Sequence, residues 1–249
     1  MRLLLINTNT SATVTDTLVA AARRMVPSTI TVVGATARFG ARYITTRPTY
    51  AIAAHAALDA YAEHGRDADA VVIACFGDPG LLALRELSEV PVVGMAEASC
   101  RAAARQGRFA IVTGGVGWIA MLQEFVATLG LADRLAAVRA VVPTGGEIAG
   151  DPAASAGILA QECRAAVSEN GADVVILGGA GLIGIADRIA PEVPVPVIDG
   201  LAAAVRSAQD ILAEPSRGAG SIAPSVETIG LPDALATLLS GRRGEQRGA

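Results

Sequence analysis

Short apolar runs alternate with alanine-rich stretches of helical period along most of the chain. The runs are apolar throughout, which is typical of strands buried on both faces. The predicted strands are Leu3–Ile6, Ile30–Gly34, Ala70–Ala74, Val92–Gly94, Phe109–Thr113, Val138–Val142, Val174–Leu177 and Val197–Ile198. The predicted helices are Thr13–Met25, Ala51–His64, Gly80–Leu87, Ala96–Gln106, Ile119–Leu129, Ala153–Asn170 and Leu201–Ala213. This alternation indicates an α/β fold with mostly parallel strands between two layers of helices.

The pattern repeats within the chain. Asp69–Cys75 matches Asp173–Gly179, and Val90–Gly94 matches Val195–Asp199 in the same order. The repeat predicts two pseudo-symmetric three-layer α/β halves, residues 1–105 and 106–213, with the active site in the cleft between them. Residues 214–249 form a C-terminal segment whose end, from Gly241 onward, is predicted to be disordered because it is rich in glycine and arginine.

Loops rich in small and polar residues follow the central predicted strands. In open parallel sheets, ligands bind where the carboxyl ends of strands lead into helices, and small residues let backbone N–H groups approach an anion. Such residues also occur at strand ends for turn and capping reasons alone. The sequence favours a substrate site made of these loops, which are Asn7–Ser11, Cys75–Gly80, Thr113–Gly115 and Gly178–Gly181.

Charge and hydropathy exclude several kinds of partner. The net charge of −4 argues against a nucleic-acid-binding protein. No apolar run reaches the roughly 18 residues of a membrane helix, and Leu3–Ile6 is too short for a signal peptide. We therefore expect a cytoplasmic protein with a small-molecule substrate and no membrane partner. Its alanine-rich helices would permit a homo-oligomer without specifying a number of subunits.

Several reactive side chains are missing or rare in the chain, and this limits the catalytic mechanisms available to it. Lysine is absent, which excludes a Schiff-base lysine and hence pyridoxal-phosphate catalysis. The only histidines, His55 and His64, both fall in a predicted helix, and the three cysteines have no CxxC spacing. These few histidines and cysteines argue against a histidine-containing catalytic triad, a zinc site or a disulfide framework. The sequence predicts neither a metal nor a cofactor.

Cys75 is the predicted reactive group. It ends a buried strand, at a turn where the following helix N-terminus would lower the pKa of its thiol. Proton transfer is most efficient when the catalytic pKa lies near the working pH. Cys100 and Cys163 lie inside predicted helices, where cysteine behaves as a small hydrophobic residue.

The loops also resemble those of a known family. Ile6–Ser11 resembles the Ile-Asn-Pro-Asn-Ser/Thr start of hydantoin and allantoin racemases, and Ala74–Leu81 resembles their first catalytic-cysteine loop. Gly178–Gly181 resembles their second loop, usually Gly-Cys-Ala-Gly, and Pro196–Gly200 resembles the strand that follows it. The resemblance to this family of the aspartate/glutamate racemase superfamily covers nearly the whole chain.

The resemblance implies a cofactor-independent isomerase in which two cysteines face an acidic α-carbon from opposite sides. Cys75 matches the first cysteine, and Gly179 stands where the second is expected. The expected activity is cysteine acid/base chemistry at an activated α-carbon of a hydantoin-like ring or a small carboxylate. The single cysteine leaves open a lyase like the arylmalonate decarboxylases, which have one cysteine opposite a glycine. A hydrolase with Cys75 as nucleophile and a non-catalytic binding protein are further alternatives.

The candidate site residues follow from the loops and the resemblance together. Asn7, Thr10, Ser11, Thr113 and Gly114 are expected to hold substrate carbonyl or carboxylate oxygens. Phe76, Gly77 and Asp78 are expected to shape the Cys75 loop, and Gly178, Gly179, Ala180 and Gly181 to form the opposite wall. The stretch Arg42–Tyr50 is expected to overhang the site, with Arg42 or Arg47 binding a substrate carboxylate. The alternative is an exposed loop with two solvated arginines.

Overall fold

The computed structural model describes residues 1–213 and 226–241. Its strands are β1 Arg2–Asn7, β2 Thr31–Thr36, β3 Ala70–Ile73, β4 Val92–Gly94, β5 Phe109–Gly114, β6 Leu135–Val141, β7 Val174–Gly178 and β8 Val197–Asp199. Its α-helices are α1 Ala12–Met25, α2 Arg47–His64, α3 Leu81–Leu87, α4 Met95–Ala104, α5 Trp118–Thr128, α6 Gly145–Gly150, α7 Pro152–Asn170, α8 Ile185–Ile189, α9 Gly200–Ala213 and α10 Asp233–Leu239. Among these helices, none is both long and apolar enough to cross a membrane.

The strands form two four-stranded sheets. The orders are β2-β1-β3-β4 and β6-β5-β7-β8, and every pairing is parallel. The first four strands of the chain and the last four are therefore arranged in the same order across their sheets, as expected for two related halves. The α/β class and the parallel sheets predicted from the sequence are confirmed.

Equivalent hydrogen bonds recur in the two sheets. The backbone N–H of Arg2 donates to Asp69 Oδ2 at 2.6 Å, and that of Arg108 donates to Asp173 Oδ2 at 2.8 Å. Each aspartate returns a bond from its own N–H to the carbonyl of the same arginine, at 2.8 Å in both cases. The matching Asp69 and Asp173 of the sequence repeat thus lock the start of the first strand of each sheet to the strand paired with it.

One hydrophobic core joins the two sheets. Phe109 and Ile111 of β5 point into the core that also contains Leu3–Ile6, whereas the intervening Ala110 and Val112 face a second core beneath α7 and α8. This alternation follows from the period of two along a strand. Helices α4 and α9 pack against each other between the sheets, and Ser99 Oγ donates to Gly200 O at 3.5 Å. The halves therefore share buried surface rather than being joined by a linker alone.

Local capping explains where the longer helices begin. Asp151 accepts from the N–H of Ala154 at 3.0 Å and Pro152 is the first residue of α7, as the sequence predicted. Helix α2 begins at Arg47, earlier than predicted, because the side chains of Thr46 and Thr49 form a reciprocal capping box. His55 and His64 are exposed on α2, as expected.

The C-terminal region only partly overlaps the described residues. Helix α10 was not predicted; it packs against α2 and buries Leu235. Residues 242–249, to which most of the disorder prediction applies, lie outside the described residues, as do residues 214–225.

Candidate active site

Cys75 lies just beyond the carboxyl end of β3, beside the end of β1. The pairing of Ile6 with Ile73, and the 2.9 Å bond from Ala74 N–H to Ile6 O, bring the residues that follow these strands together. The chain then turns sharply, with Asp78 N–H donating to Cys75 O at 3.0 Å and positive φ angles at Gly77 and Asp78. A Cβ at Gly77 would lie 2.8 Å from Trp118 Cζ3, so the turn also requires a glycine there for lack of space.

A cavity of about 60 Å³ lies where the carboxyl ends of both sheets meet. Its walls come from loops of both halves, and Cys75 lies in the wall from the first half while Gly179 lies in the wall from the second. The lining residues are Asn9, Val14, Tyr43, Ile44, Thr45, Cys75, Phe76, Thr113, Gly114, Trp118, Gly145, Gly146, Gly179, Ala180, Gly181 and Leu182. The sequence predicted a site between the halves, and the cavity lies in that place.

The Cys75 thiol is strongly desolvated. The residue is 6% exposed, and burial raises the pKa of its thiol to about 12, with the nearby Asp78 carboxylate adding to the rise. The Thr8 side chain acts in the opposite direction and lowers that pKa. The sequence-based expectation of a lowered pKa is therefore wrong. Helix α3 begins only at Leu81, after Gly80, so its N-terminus is separated from the sulfur by the whole turn.

Asn7 and Ser11 build the β1–α1 loop instead of facing the cavity. Asn7 Nδ2 lies 3.0 Å from Asn9 Oδ1, 3.1 Å from Ser11 O and 3.0 Å from Thr15 Oγ1, so its amide group is used within the protein. Asn9 Oδ1 also accepts from the N–H of Ser11 at 2.9 Å. The oxygen of Asn9 is thus occupied, and its Nδ2 group is the donor left for the cavity, with no acceptor among the described residues.

The second half supplies further donors. Thr113 Oγ1 lies 3.8 Å from the position that a Cβ at Gly179 would occupy, and it has no hydrogen-bond partner among the described residues. A 3₁₀ turn over Ala180–Leu182 follows, in which Leu182 N–H donates to Gly179 O at 3.0 Å. The N–H groups of Ala180 and Gly181 precede that bond and have no acceptor within the turn. A hydroxyl and two amides therefore lie together on this wall.

The segment after β2 covers the cavity, as the sequence suggested. Tyr43, Ile44 and Thr45 line it, and Ile44 O accepts from Trp118 Nε1 at 3.1 Å. The Tyr43 ring lies so close to Gly146 that a Cβ there would be 2.6 Å from Tyr43 Cδ2. A loop of the first half is thus fastened to two elements of the second half directly over the cavity.

Comparison with known proteins gives the family. Residues 3–208 match the family model described as Asp/Glu/Hydantoin racemase. The chain belongs to this racemase family. It is 36% identical over 218 residues to a hydantoin racemase of Paenarthrobacter aurescens, covering 86% of this chain and 92% of that protein.

Solved structures of racemases share the fold. The structure of the allantoin racemase from Pseudomonas fluorescens matches with a TM-score of 0.82 and 32% identity, covering 85% of this chain and 91% of the other. That of the allantoin racemase from Klebsiella pneumoniae matches with a TM-score of 0.80 and 34% identity, covering 86% and 88%. The protein is therefore a racemase-family enzyme of the isomerase class.

The cavity between the two halves contains about half of the residues predicted for the site. Cys75, Phe76, Thr113, Gly114, Gly179, Ala180 and Gly181 line it. Asn7, Thr10, Ser11 and Gly178 do not line it; Gly178 lies beneath the Phe76 ring, where a Cβ would be 2.5 Å from Phe76 Cε1. Sequence reasoning missed Tyr43, Trp118 and Gly146 as lining residues, and it placed Asn9 in the right loop without singling it out.

Arg47, Gly77 and Asp78 face a different space. They line a separate cavity of about 590 Å³ among α2, α3, α4 and α5. Arg47 is 60% exposed and makes two 2.6 Å bonds to the carboxylate of Glu124, which raise the pKa of its guanidinium. The expectation that Arg47 binds a substrate carboxylate is therefore corrected: its charge is paired, and it lies at the start of α2 away from the Cys75 cavity.

Asp78 holds helix α4 in place. Its carboxylate accepts from the N–H groups of Ala96 at 2.8 Å and Glu97 at 2.7 Å, at the first turn of α4. Burial raises the pKa of Asp78 to about 7, although these two bonds oppose the rise. The Cys75 turn is thereby tied to the helix that packs between the two sheets.

Proposed function

We propose that this enzyme moves a proton at the activated α-carbon of a hydantoin-like ring, with Cys75 as the acid/base and no cofactor. The observation that carries the proposal is the Cys75 thiol in the wall of a cavity lined by loops of both halves. The hydantoin racemase of Paenarthrobacter aurescens and the two allantoin racemases support this class of substrate.

The polarity of the cavity favours a neutral ring over a carboxylate. Among the described residues that line it, there is no arginine, aspartate, glutamate or histidine. A buried carboxylate without a cationic partner would carry a large desolvation cost. A cyclic imide or urea needs only hydrogen-bond donors and acceptors, which Asn9, Thr113 and the turn at Ala180 can supply.

The proton moves between sulfur and carbon. The Cys75 thiol first loses its own proton to solvent. The resulting thiolate takes the α-proton and becomes a thiol again, while the electron pair of the C–H bond passes to the adjacent carbonyl as an enolate. Asn9 Nδ2, Thr113 Oγ1 and the free N–H groups of Ala180 and Gly181 are donors that can stabilise the enolate oxygen. Return of the proton from Cys75 restores the carbon on the same face.

Inversion needs a donor on the other face. Gly179 has no side chain to act as an acid, so that proton must come from water or from a neighbouring hydroxyl. Thr113 is the hydroxyl nearest to the missing side chain among the described residues. We expect the enzyme to exchange the α-proton faster than it inverts the centre.

A single-cysteine lyase is the second candidate. Burial holds Cys75 as a neutral thiol near neutral pH, which is the form that protonates an enolate made by loss of carbon dioxide. Cys75 opposite a glycine suits such a reaction, but the absence of a cation in the cavity lining disfavours a malonate substrate. Nucleophilic attack by Cys75 on a ring carbonyl is the hydrolytic alternative.

Proton NMR in deuterated water separates these reactions. We expect a 5-substituted hydantoin to lose its α-proton signal with the ring intact. Loss of carbon dioxide from an arylmalonate would instead support the lyase, and ring opening of a hydantoin or thiohydantoin would support the hydrolase. Binding of these compounds without any turnover would support a non-catalytic protein.

A further inference from the structure

Thr8 has a buried hydroxyl without a hydrogen-bond partner of ordinary geometry. The residue is 1% exposed, and its Oγ1 is one of two buried side-chain polar atoms without a partner among the described residues. In the same loop, Asn7 Nδ2 and Asn9 Oδ1 are both engaged in hydrogen bonds. An unsatisfied buried hydroxyl is costly and therefore needs an explanation.

Strand register places Thr8 beside Cys75. β1 and β3 are parallel, with Ile6 paired to Ile73. Two residues further along each chain, Thr8 and Cys75 take equivalent positions at the ends of neighbouring strands. Strands lie about 4.8 Å apart, which is within reach of a hydroxyl and a thiol on adjacent chains. Thr8 is buried and is not among the residues that line the cavity.

The second half has no such pair. β5 and β7 are paired with Thr113 opposite Gly178, so Gly114 and Gly179 take the positions that correspond to Thr8 and Cys75. Both members are glycine there. The hydroxyl therefore accompanies the thiol in the half that has one and is absent from the half that does not.

We propose that the Thr8 hydroxyl donates a hydrogen bond to Cys75 Sγ when the thiol is ionised, and so is a positioning residue for the proton transfer. This inference rests on the proposed function and adds the group that stabilises its thiolate. Thr8 keeps its own proton throughout; the proton that moves passes between Cys75 and the α-carbon. The direction in which Thr8 shifts the Cys75 pKa, downward against desolvation, agrees with this role because a donor to the charged form favours it.

The test measures the reactivity of the Cys75 thiol without substrate. It uses the full-length protein with Cys100 and Cys163 replaced by alanine. Thr8→Val removes the hydroxyl at nearly constant volume, and Thr8→Ser retains it. We measure the rate of Cys75 alkylation by iodoacetamide between pH 7 and 10. Thr8→Val should alkylate about tenfold more slowly at each pH, because one pKa unit changes the thiolate fraction tenfold. Thr8→Ser should stay within about threefold of the parent.

Equal alkylation rates in the parent and Thr8→Val would overturn the proposal. An equal decrease of the alkylation rate in Thr8→Val and Thr8→Ser would also overturn the proposal. Such a result would show that packing around Thr8, and not its hydroxyl, determines the reactivity of Cys75. Should Thr8→Val not fold, Thr8→Ala against Thr8→Ser gives the same comparison. Since no substrate is used, these outcomes are separate from whether the enzyme acts on hydantoins.

Discussion

At the scale of single residues, the main discrepancy concerns the state of Cys75. Its position in the sequence led us to predict that it is the reactive group, but the predicted direction of its pKa shift was wrong. The rise to about 12 comes mainly from burial, with a smaller contribution from Asp78. The extent of that burial depends on tertiary packing and cannot be read from the sequence around Cys75. The resting group is thus a thiol, and a thiolate must be formed with help from its surroundings.

Thr113 is predicted to bind the enolate oxygen. Thr113→Val should lower kcat/KM on a hydantoin substrate, because the hydroxyl is buried and available to the cavity. The loss should correspond to about 1–3 kcal/mol of transition-state stabilisation. Thr10→Val is the matched control, since Thr10 contributes a backbone bond to Ala41 O and does not line the cavity. Steady-state kinetics should show the loss in the first variant alone; equal kinetics in both would remove Thr113 from the site.

Gly179→Cys should restore a thiol on the opposite face and increase racemisation over that of the parent. A Cβ there meets Leu182 Cδ1 at 2.9 Å, the end of a flexible side chain, but the φ of +150° disfavours any side chain. Gly179→Ala is therefore the control, because it has the same backbone cost without a thiol. Polarimetry on an enantiopure hydantoin measures inversion. Efficient inversion by the parent, unimproved in a folded Gly179→Cys variant, would contradict the view of Gly179 as a lost acid.

At the scale of elements, the sequence predicted all eight strands and seven of the ten α-helices of the described residues. Continuous Val, Ile and Leu runs identify buried parallel strands well, and Asp151-Pro152 marks a helix start through local chemistry. The short helices α6, α8 and α10 were missed, because their few residues carry no clear period. Trp118 and Tyr43 were missed at the site because they reach the cavity only through tertiary contacts.

The attachment of α4 to Asp78 should make stability depend on pH. Folding raises the pKa of Asp78 from 3.8 to about 7, so the native state binds more protons than the unfolded state between these values. Protonated Asp78 therefore contributes to the stability of the native state below about pH 4, and this contribution is lost as the pH rises through 7. The free energy of unfolding of the parent minus that of Asp78→Asn should therefore fall from pH 4 to 7.5, by up to about 4 kcal/mol. Urea denaturation at several pH values measures it, and a difference that does not change with pH would refute this assignment.

At the scale of the whole molecule, the site exists because two similar halves share one core. The internal repeat allowed the sequence to predict both the halves and the cleft, and the equivalent bonds of Asp69 and Asp173 show how the repeat is built into each sheet. What it could not predict is how tightly the cleft is covered. Arg47 was expected over the site, but the capping box at Thr46 draws it into α2, where it pairs with Glu124.

The central claim is that Cys75 alone transfers the α-proton, and α-deuterium exchange measures this most directly. In deuterated water, the parent should exchange the α-proton of a 5-substituted hydantoin, and Cys100→Ala and Cys163→Ala should exchange it at similar rates. Cys75→Ala should reduce the rate at least about 100-fold, the lower range for loss of a positioned acid/base, with the circular dichroism spectrum unchanged. Exchange by Cys75→Ala within tenfold of the parent, in a folded protein, would contradict the account.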